Sequence, residues 1–327
     1  MNEENMLKLY ETLDEAVQTL QKEISEPYLD SLGNSMEMLF FNDIQQELSP
    51  TIKSEVRQVL EKIHLDDYSN EEIRRAIQLI ILKGMQKSTQ HQHVITPDTI
   101  ALFIGYLADK LFADKKDLRI FDPVSGTGNL ILTVMDYLKQ TEAAYACEID
   151  QTLIRISVMY ANFMQSQIEF FHQDSLQPFL LDPVDLVVAD LPVGYYPDDE
   201  QARKYELKAS EGHSYAHYLL IEQSLHYTKP SGFLIMLIPE TLFSDEKSTA
   251  LHTFFHKYAH IIGLIQLDEA TFKAKQHRKS ILILQKKGNE TNDVKQPLLA
   301  KLPSFKNTNA MQDIMVKIND WFKNADI

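Results

Sequence analysis

From residue 117 onward, short β-rich runs alternate with amphipathic helical stretches, and this alternation constrains the fold more than any other feature. The strand-like runs fall at 118–122, 143–148, 168–172, 184–189, 233–238, 261–267 and 280–285. Helical stretches fall between them at about 129–140, 151–164, 215–228 and 246–257. Runs of this kind in this order predict an α/β fold with a doubly wound, mostly parallel sheet of seven strands. The last two runs lack a helix-length connection, which suits an antiparallel end to the sheet. A polar stretch over 286–297 reads as a solvated loop, and 311–322 reads as a C-terminal helix.

Residues 1–90 carry a different period. Met6, Tyr10, Leu13, Val17, Leu20 and Ile24 recur every three or four positions with charged residues between them, so the spacing predicts an amphipathic helix. Ile52, Val56, Val59 and Ile63 repeat the pattern after Ser49-Pro50, a helix-start signal. Ile73, Ile77, Ile80 and Ile81 form a third stripe. The organisation expected is an N-terminal helical domain over 1–90 and an α/β domain over 91–327. The seam of the first helix suits either packing inside a bundle or a homodimer or partner surface.

Glycine is scarce, at 10 residues in 327, against a usual share of about 7%. Two of the ten, Gly126 and Gly128, lie in Asp122-Pro123-Val124-Ser125-Gly126-Thr127-Gly128-Asn129, between a strand and a helix start. Glycine there lets the backbone turn and approach a ligand without a Cβ in the way. A dinucleotide fingerprint wants a third glycine three residues on, and Ile131 stands there instead. The strand ends nearby carry acids in succession: Asp122, Glu148, Asp174 and Asp190. Glu148 lies 20 residues after Gly128, where a carboxylate accepts from ribose hydroxyls. Asp174 is placed to accept from an adenine amino group. Acids also gather at strand ends as caps and turn formers, but four in order with the glycine pair point to a nucleoside-bearing ligand.

These segments resemble class I S-adenosylmethionine-dependent methyltransferases of the amino-methylating adenine branch. DPVSGTGNL is similar to the glycine motif of that family, CEID to its acidic ribose motif and QDS to its adenine-contact motif. VVADLPVG is similar to its catalytic D-P-P-Y type segment, and His93-Val94-Ile95-Thr96-Pro97-Asp98 to the T-P segment upstream of the glycine loop. A helical domain, then the T-P segment, then the glycine loop is the order of the modification subunits of type I restriction systems. The resemblance implies a Rossmann-like methyltransferase fold and S-adenosyl-L-methionine as cofactor. By position it implies that Asp122, Pro123, Gly126, Thr127 and Gly128 line the methionine part and Thr96 and Pro97 cover the opposite side. Glu148 and Ile149 are implied to hold the ribose and flank the adenine, with Asp174 and Ser175 at the adenine amino group. Asp190, Leu191 and Pro192 are implied to face the acceptor nitrogen. An exocyclic amine is a weak nucleophile, and acceptors for its two hydrogens favour a pyramidal nitrogen aimed at the methyl group. The sulfonium is the leaving group, so this chemistry requires no metal.

The catalytic segment departs from the family in two places. Leu191 replaces a proline, and Val193 replaces the aromatic that stacks on an extruded base. Tyr195, or its neighbour Tyr196, is the candidate substitute. Three acceptor readings therefore stay open: N6 of adenine in DNA or RNA, a protein glutamine or other amine, and none, in a cofactor-binding regulatory protein.

The balance of 32 basic against 47 acidic side chains, a net charge of −15, argues against coating nucleic acid by bulk attraction. Any nucleic-acid contact is expected to be local and weak alone. The available basic strip is Lys273, Lys275, His277, Arg278 and Lys279, extended by Lys286 and Lys287; an ordinary solvated hairpin is the bland alternative. In the loop after Tyr195, Arg203, Lys204 and Lys208 are offset by Asp198, Asp199, Glu200, Glu206 and Glu211. The segment after the last predicted strand is too short for a target-recognition domain, so a separate specificity subunit is the expected partner. His91 with His93, and His213 with His217, have spacings metals use but bring no third ligand, so no metal is expected. The single cysteine, Cys147, excludes a disulfide framework within the chain and reads as a core residue. The acidic start lacks the layout of a secretory leader, and no apolar run approaches the ~18 residues of a membrane span. Together these fit a cytoplasmic protein.

Overall fold

The computed structural model describes residues 2–42, 48–87, 95–113, 115–139, 141–244, 248–272 and 275–325, the side chains of Lys87 and Gln276 excepted. His91, His93 and Lys273 lie outside the described residues. The chain forms two compact units. One comprises 1–105, 125–139 and 144–172; the other comprises 106–124, 140–143 and 173–327.

In the first unit, α1 (Glu3–Gln21) packs against α2 (Tyr28–Phe41), α3 (Pro50–Leu60) and α4 (Asn70–Lys87). Asn2 caps α1 by accepting from the Glu4 and Asn5 N–H groups, and Ser49 caps α3, with Pro50 at its first position as the sequence predicts. Met6, Leu9, Leu13, Ala16, Val17 and Leu20 of α1 are buried in the core that these helices share. The apolar seam is therefore consumed inside the bundle, as the packing alternative expects. Sequence periodicity misses α2. Its buried row contains Ser31, Gly33, Asn34 and Ser35, small residues that let it lie close to α7 (Gln151–Phe163). Arg155 of α7 donates to Glu37 at 2.9 and 2.7 Å and to Asn34 at 2.8 Å, fastening the pair. The strands β2 (Thr141–Glu148) and β3 (Glu169–His172) run parallel on either side of α7 in the chain.

Pattern reading also misses α5 (Asp98–Leu111). Ile100, Ala101, Phe103, Ile104, Leu107 and Ala108 are all buried, so the helix has no polar stripe to set a period. α6 (Asn129–Leu138) follows the glycine loop directly and has the same character.

The second unit holds β1 (Leu118–Asp122), β4 (Val184–Asp190) and β5 (Thr228–Pro239), which pair in parallel. Beyond them β7 (Lys279–Lys286) runs antiparallel to both β5 and β6 (Ala259–Gln266). The helices of this unit are the short α8 (Asp199–Ala202), then α9 (Ala216–His226), α10 (Ser248–Tyr258) and α11 (Thr308–Asn324). The sheet order is β3-β2-β1-β4-β5-β7-β6-β8. The strand count is a correction: among the described residues there are eight strands, not seven. β8 (Leu298–Lys301) adds in parallel to β6. Its four residues carry too little pattern to read, and a Cβ on Gly263 would crowd Leu298, so glycine in β6 permits this close edge pairing. The antiparallel end is as expected. The chain reverses its direction of travel through the sheet between β1 and β4, and open α/β sheets bind ligands at the C-terminal strand ends near that switch.

At the opposite end of β4, Asp185 is 1% exposed. It accepts from Lys115 at 2.6 Å, from Lys229 at 2.9 and 3.0 Å, and from the Arg119 N–H at 3.0 Å. Burial pushes its carboxyl up, but Lys115, the Arg119 N–H and Lys229 together outweigh that and hold it below the usual range. A carboxyl depressed in the folded state stabilises fully above its unfolded value of about 3.9, and the contribution is lost as pH falls below it. D185N should therefore lower stability by about 3 kcal/mol at pH 7. In urea titrations at pH 7, 5 and 3.5, the gap between variant and native protein should shrink at the lowest pH.

Candidate active site

In the first unit the glycine loop is held from two sides. The Ser125 N–H donates to the Cys147 carbonyl at 2.9 Å, and the Gly126 N–H donates to Glu148 Oε2 at 2.8 Å. Glu148 Oε1 accepts from the N–H groups of Ile149 and Asp150, each at 2.9 Å. One carboxylate thus fixes both the loop and its own strand end. The two glycines serve different needs. Gly126 has φ +54°, and a Cβ there would meet nothing within 4 Å, so this turn faces open space. Gly128 has φ +81°, and a Cβ there would drive into the Ser157 hydroxyl of α7. Thr127 is buried between them, and Ile149 stands 66% exposed beside Glu148.

Asn129 and Asp98, to which the sequence motifs assign no role, both belong to a buried polar cluster. Asn129 is 2% exposed. Its Nδ2 donates to the Thr96 carbonyl at 2.7 Å, and its Oδ1 accepts from Gln78 at 2.7 Å and from the Tyr160 hydroxyl at 3.3 Å. Gln78 also donates to Asp98 at 3.0 Å, and Asp98 is paired with Arg74 and Arg75. Thr96 and Pro97 are thereby tied to the start of α6, with Thr96 buried and Pro97 partly exposed. Burial lowers Arg74 from its ordinary value.

In the second unit Asp122 is buried at the end of β1 and accepts from the Val124 N–H at 3.0 Å, with Pro123 buried beside it. Asp174 Oδ1 accepts from the Leu176 N–H at 2.9 Å, and its Oδ2 accepts from the Tyr196 hydroxyl at 2.5 Å. Burial, and then this bond, push the Tyr196 phenol up. Ser175 is buried, and its carbonyl accepts from Gln223 at 2.8 Å. The adjacent tyrosines diverge. Tyr196 is buried against Asp174, whereas Tyr195 is 61% exposed and stacks on Tyr215 at 4.8 Å between centroids and 10° between planes. Val193 is 53% exposed.

At the end of β4, Lys279 forms an ion pair with Asp190 and also donates to the Leu191 carbonyl at 2.9 Å. Leu191 is fully buried and Pro192 is exposed. The basic strip containing Lys279 is largely committed. Arg278 pairs with Glu269 at 2.5 Å, Lys286 donates to the Leu225 and Thr228 carbonyls at 2.7 Å, and Lys287 donates to the His256 carbonyl at 2.6 Å. His213 accepts or donates at Asp199, 3.0 Å away, while His217 is buried under Tyr215. Among the described residues no group of three His, Cys, Asp or Glu side chains could hold a metal ion. No helix formed by them is long and apolar enough to cross a membrane.

Residues 80–326 match the N-6 DNA methylase family, and residues 7–85 match the YtxK N-terminal helical domain. The chain belongs to the N-6 DNA methylase family. It is 45% identical over 326 residues to YtxK, an uncharacterized protein of Bacillus subtilis (strain 168), covering 99% of each chain. A Listeria monocytogenes protein assigned to the class I S-adenosylmethionine-dependent methyltransferases superposes with a TM-score of 0.92 at 39% identity. That match covers 98% of this chain and 100% of the other. The type I restriction-modification methyltransferase subunit of Streptococcus thermophilus shares the fold, with a TM-score of 0.66 at 15% identity, over 84% of this chain and 63% of that one. The protein is an S-adenosylmethionine-dependent methyltransferase of this family.

The Asn129 amide is the testable centre of the first unit. N129A leaves the Thr96 carbonyl, Gln78 and the Tyr160 hydroxyl each short of a buried partner. It should lower stability by about 2–4 kcal/mol in urea unfolding.

Proposed function

We propose that this methylase family member transfers a methyl group to the exocyclic amine of adenine in DNA or RNA, with Asp190 and Leu191 as the amine-binding pair. One observation carries the reading: Asp190 Oδ1 and the Leu191 carbonyl both accept from a single nitrogen, that of Lys279. Two oxygens aimed at one nitrogen suit the two hydrogens of an exocyclic amine. Bonds to both draw the nitrogen towards a pyramidal form with its lone pair available. Pro192 stiffens the segment that carries them, and Tyr195 offers the exposed ring in place of the missing aromatic at Val193.

S-adenosylmethionine supplies a methyl group activated on a sulfonium. The residues present fit it. Gly126 leaves open space that a side chain would fill. Gly126, Thr127, Gly128, Asp122 and Pro123 are proposed to line its methionine part, with Thr96 and Pro97 covering it. Glu148, already oriented by three backbone N–H groups, is proposed to accept from the ribose, and Ile149 to flank the adenine. Asp174, held by Tyr196, is proposed to accept from the adenine amino group, beside Ser175. The division at residues 90 and 91 and a place in the cytoplasm belong to the same proposal. Because Arg278, Lys286 and Lys287 are committed to partners within the chain, nucleic-acid affinity is proposed to come mainly from a separate specificity subunit. A second reading, a cofactor-binding protein that transfers nothing, draws support from the ammonium of Lys279 on both acceptor atoms and from Val193.

Two measurements divide these readings. By calorimetry, E148A should weaken S-adenosylmethionine binding at least tenfold. G126A should also weaken it while lowering stability by only about 1 kcal/mol, the strain of a left-handed residue. Unchanged affinity in both variants would remove the cofactor assignments. In transfer assays with methyl-labelled cofactor and DNA, RNA and protein acceptors, label should reach adenine and D190A should abolish it. Tight cofactor binding without transfer to any acceptor would leave only the second reading.

A further inference from the structure

β7 runs against the parallel strands, so it begins where they end. Its first residue, Lys279, lies opposite Pro239 of β5, while Asp190 at the end of β4 lies opposite Leu237 of the same strand. The ammonium therefore arrives at the C-terminal edge of the sheet. There it is bonded to Asp190 Oδ1 and the Leu191 carbonyl, with the Lys279 and Asp190 side chains 19% and 16% exposed. These are the two atoms proposed to receive the hydrogens of the acceptor amine. The Lys279 nitrogen thus stands where the nitrogen of the substrate would stand.

We propose that Lys279 is an internal competitor for the acceptor-amine position and, through that competition, a determinant of which acceptors the protein methylates. The inference rests on reading Asp190 and Leu191 as the amine-binding pair. An ammonium is a stronger partner for a carboxylate than a neutral ring amine, because the hydrogen bond is assisted by charge on both sides. A free nucleoside offers only its amine and loses this competition. An acceptor that also binds elsewhere on the protein or on a partner subunit supplies the free energy to displace Lys279. The site is thereby closed to free adenosine and open to an adenine presented within a larger molecule.

The test uses the full chain saturated with S-adenosylhomocysteine, so that added adenosine meets the acceptor site rather than the cofactor site. Calorimetry compares adenosine and an adenine-containing single-stranded oligodeoxynucleotide on the native protein and on K279M, which keeps much of the stem and removes the charge. K279M should bind adenosine at least tenfold more tightly than the native protein. As a second readout, Lys279 of the native protein is labelled by formaldehyde and borohydride and followed by mass spectrometry. Its labelling should rise severalfold when the oligonucleotide is bound, and this readout stands even if K279M does not fold. Equal adenosine affinity in the two proteins, or Lys279 still protected with oligonucleotide bound, would overturn the competition and leave the amine-binding pair in place. Absence of adenosine binding to folded K279M would instead overturn the amine-binding pair, and the competition with it.

Discussion

The side-chain amide of Asn129 joins three separate segments of the first unit. A single amide offers donors and an acceptor in one plane, and here both kinds are spent on buried partners from separate segments: Thr96, Gln78 of α4 and Tyr160 of α7. Asp98 extends the same cluster to Arg74. Such a network is stable only when complete, because each unmatched member is left in a medium of low dielectric constant. The N-terminal helices are consequently tied to the start of α6. α4 supplies side chains that position the segment just ahead of α5 and the first turn of α6.

The acids at the strand ends are held before any ligand arrives. Glu148 is oriented by three backbone N–H groups, Asp174 by one N–H and a tyrosine hydroxyl, and Asp190 by a lysine. Carboxylates fixed in this way lose little freedom on binding, and the part of the binding free energy otherwise spent on ordering them is retained. Asp190 differs from the other two. Its partner bears a full charge on a flexible stem, whereas backbone N–H groups are neutral and immobile.

Much of this was legible in the chain. The alternation after residue 117 gave the parallel strands and the antiparallel end because period-2 and period-3.6 patterns survive wherever an element has one buried face. It failed where burial was not one-sided. α5 is apolar almost all round, α2 meets α7 through serine, glycine and asparagine, and β8 is a four-residue edge. Glu148, Asp174 and Asp190 could be picked out because acids at successive strand ends are visible in one dimension. Lys279 was visible only as a member of a basic strip, since its meeting with Asp190 depends on β7 lying between β5 and β6. The pairing of Tyr196 with Asp174 was likewise hidden, because the contact spans 22 positions and an intervening strand.

β4 carries an acid near each end, Asp185 buried and Asp190 partly buried. Asp185 answers to lysines at the N-terminal end, and Asp190 stands at the C-terminal end. Five residues of extended chain separate them by about 17 Å, several times the 2.6–3.0 Å of the contacts that pair Asp185. The strand thus works as a spacer between the charges that secure the fold and the ion pair proposed to meet the acceptor. On the proposed acceptor role, a change in the group opposite Asp190 or in the side chain at position 193 leaves the cluster around Asp185 untouched.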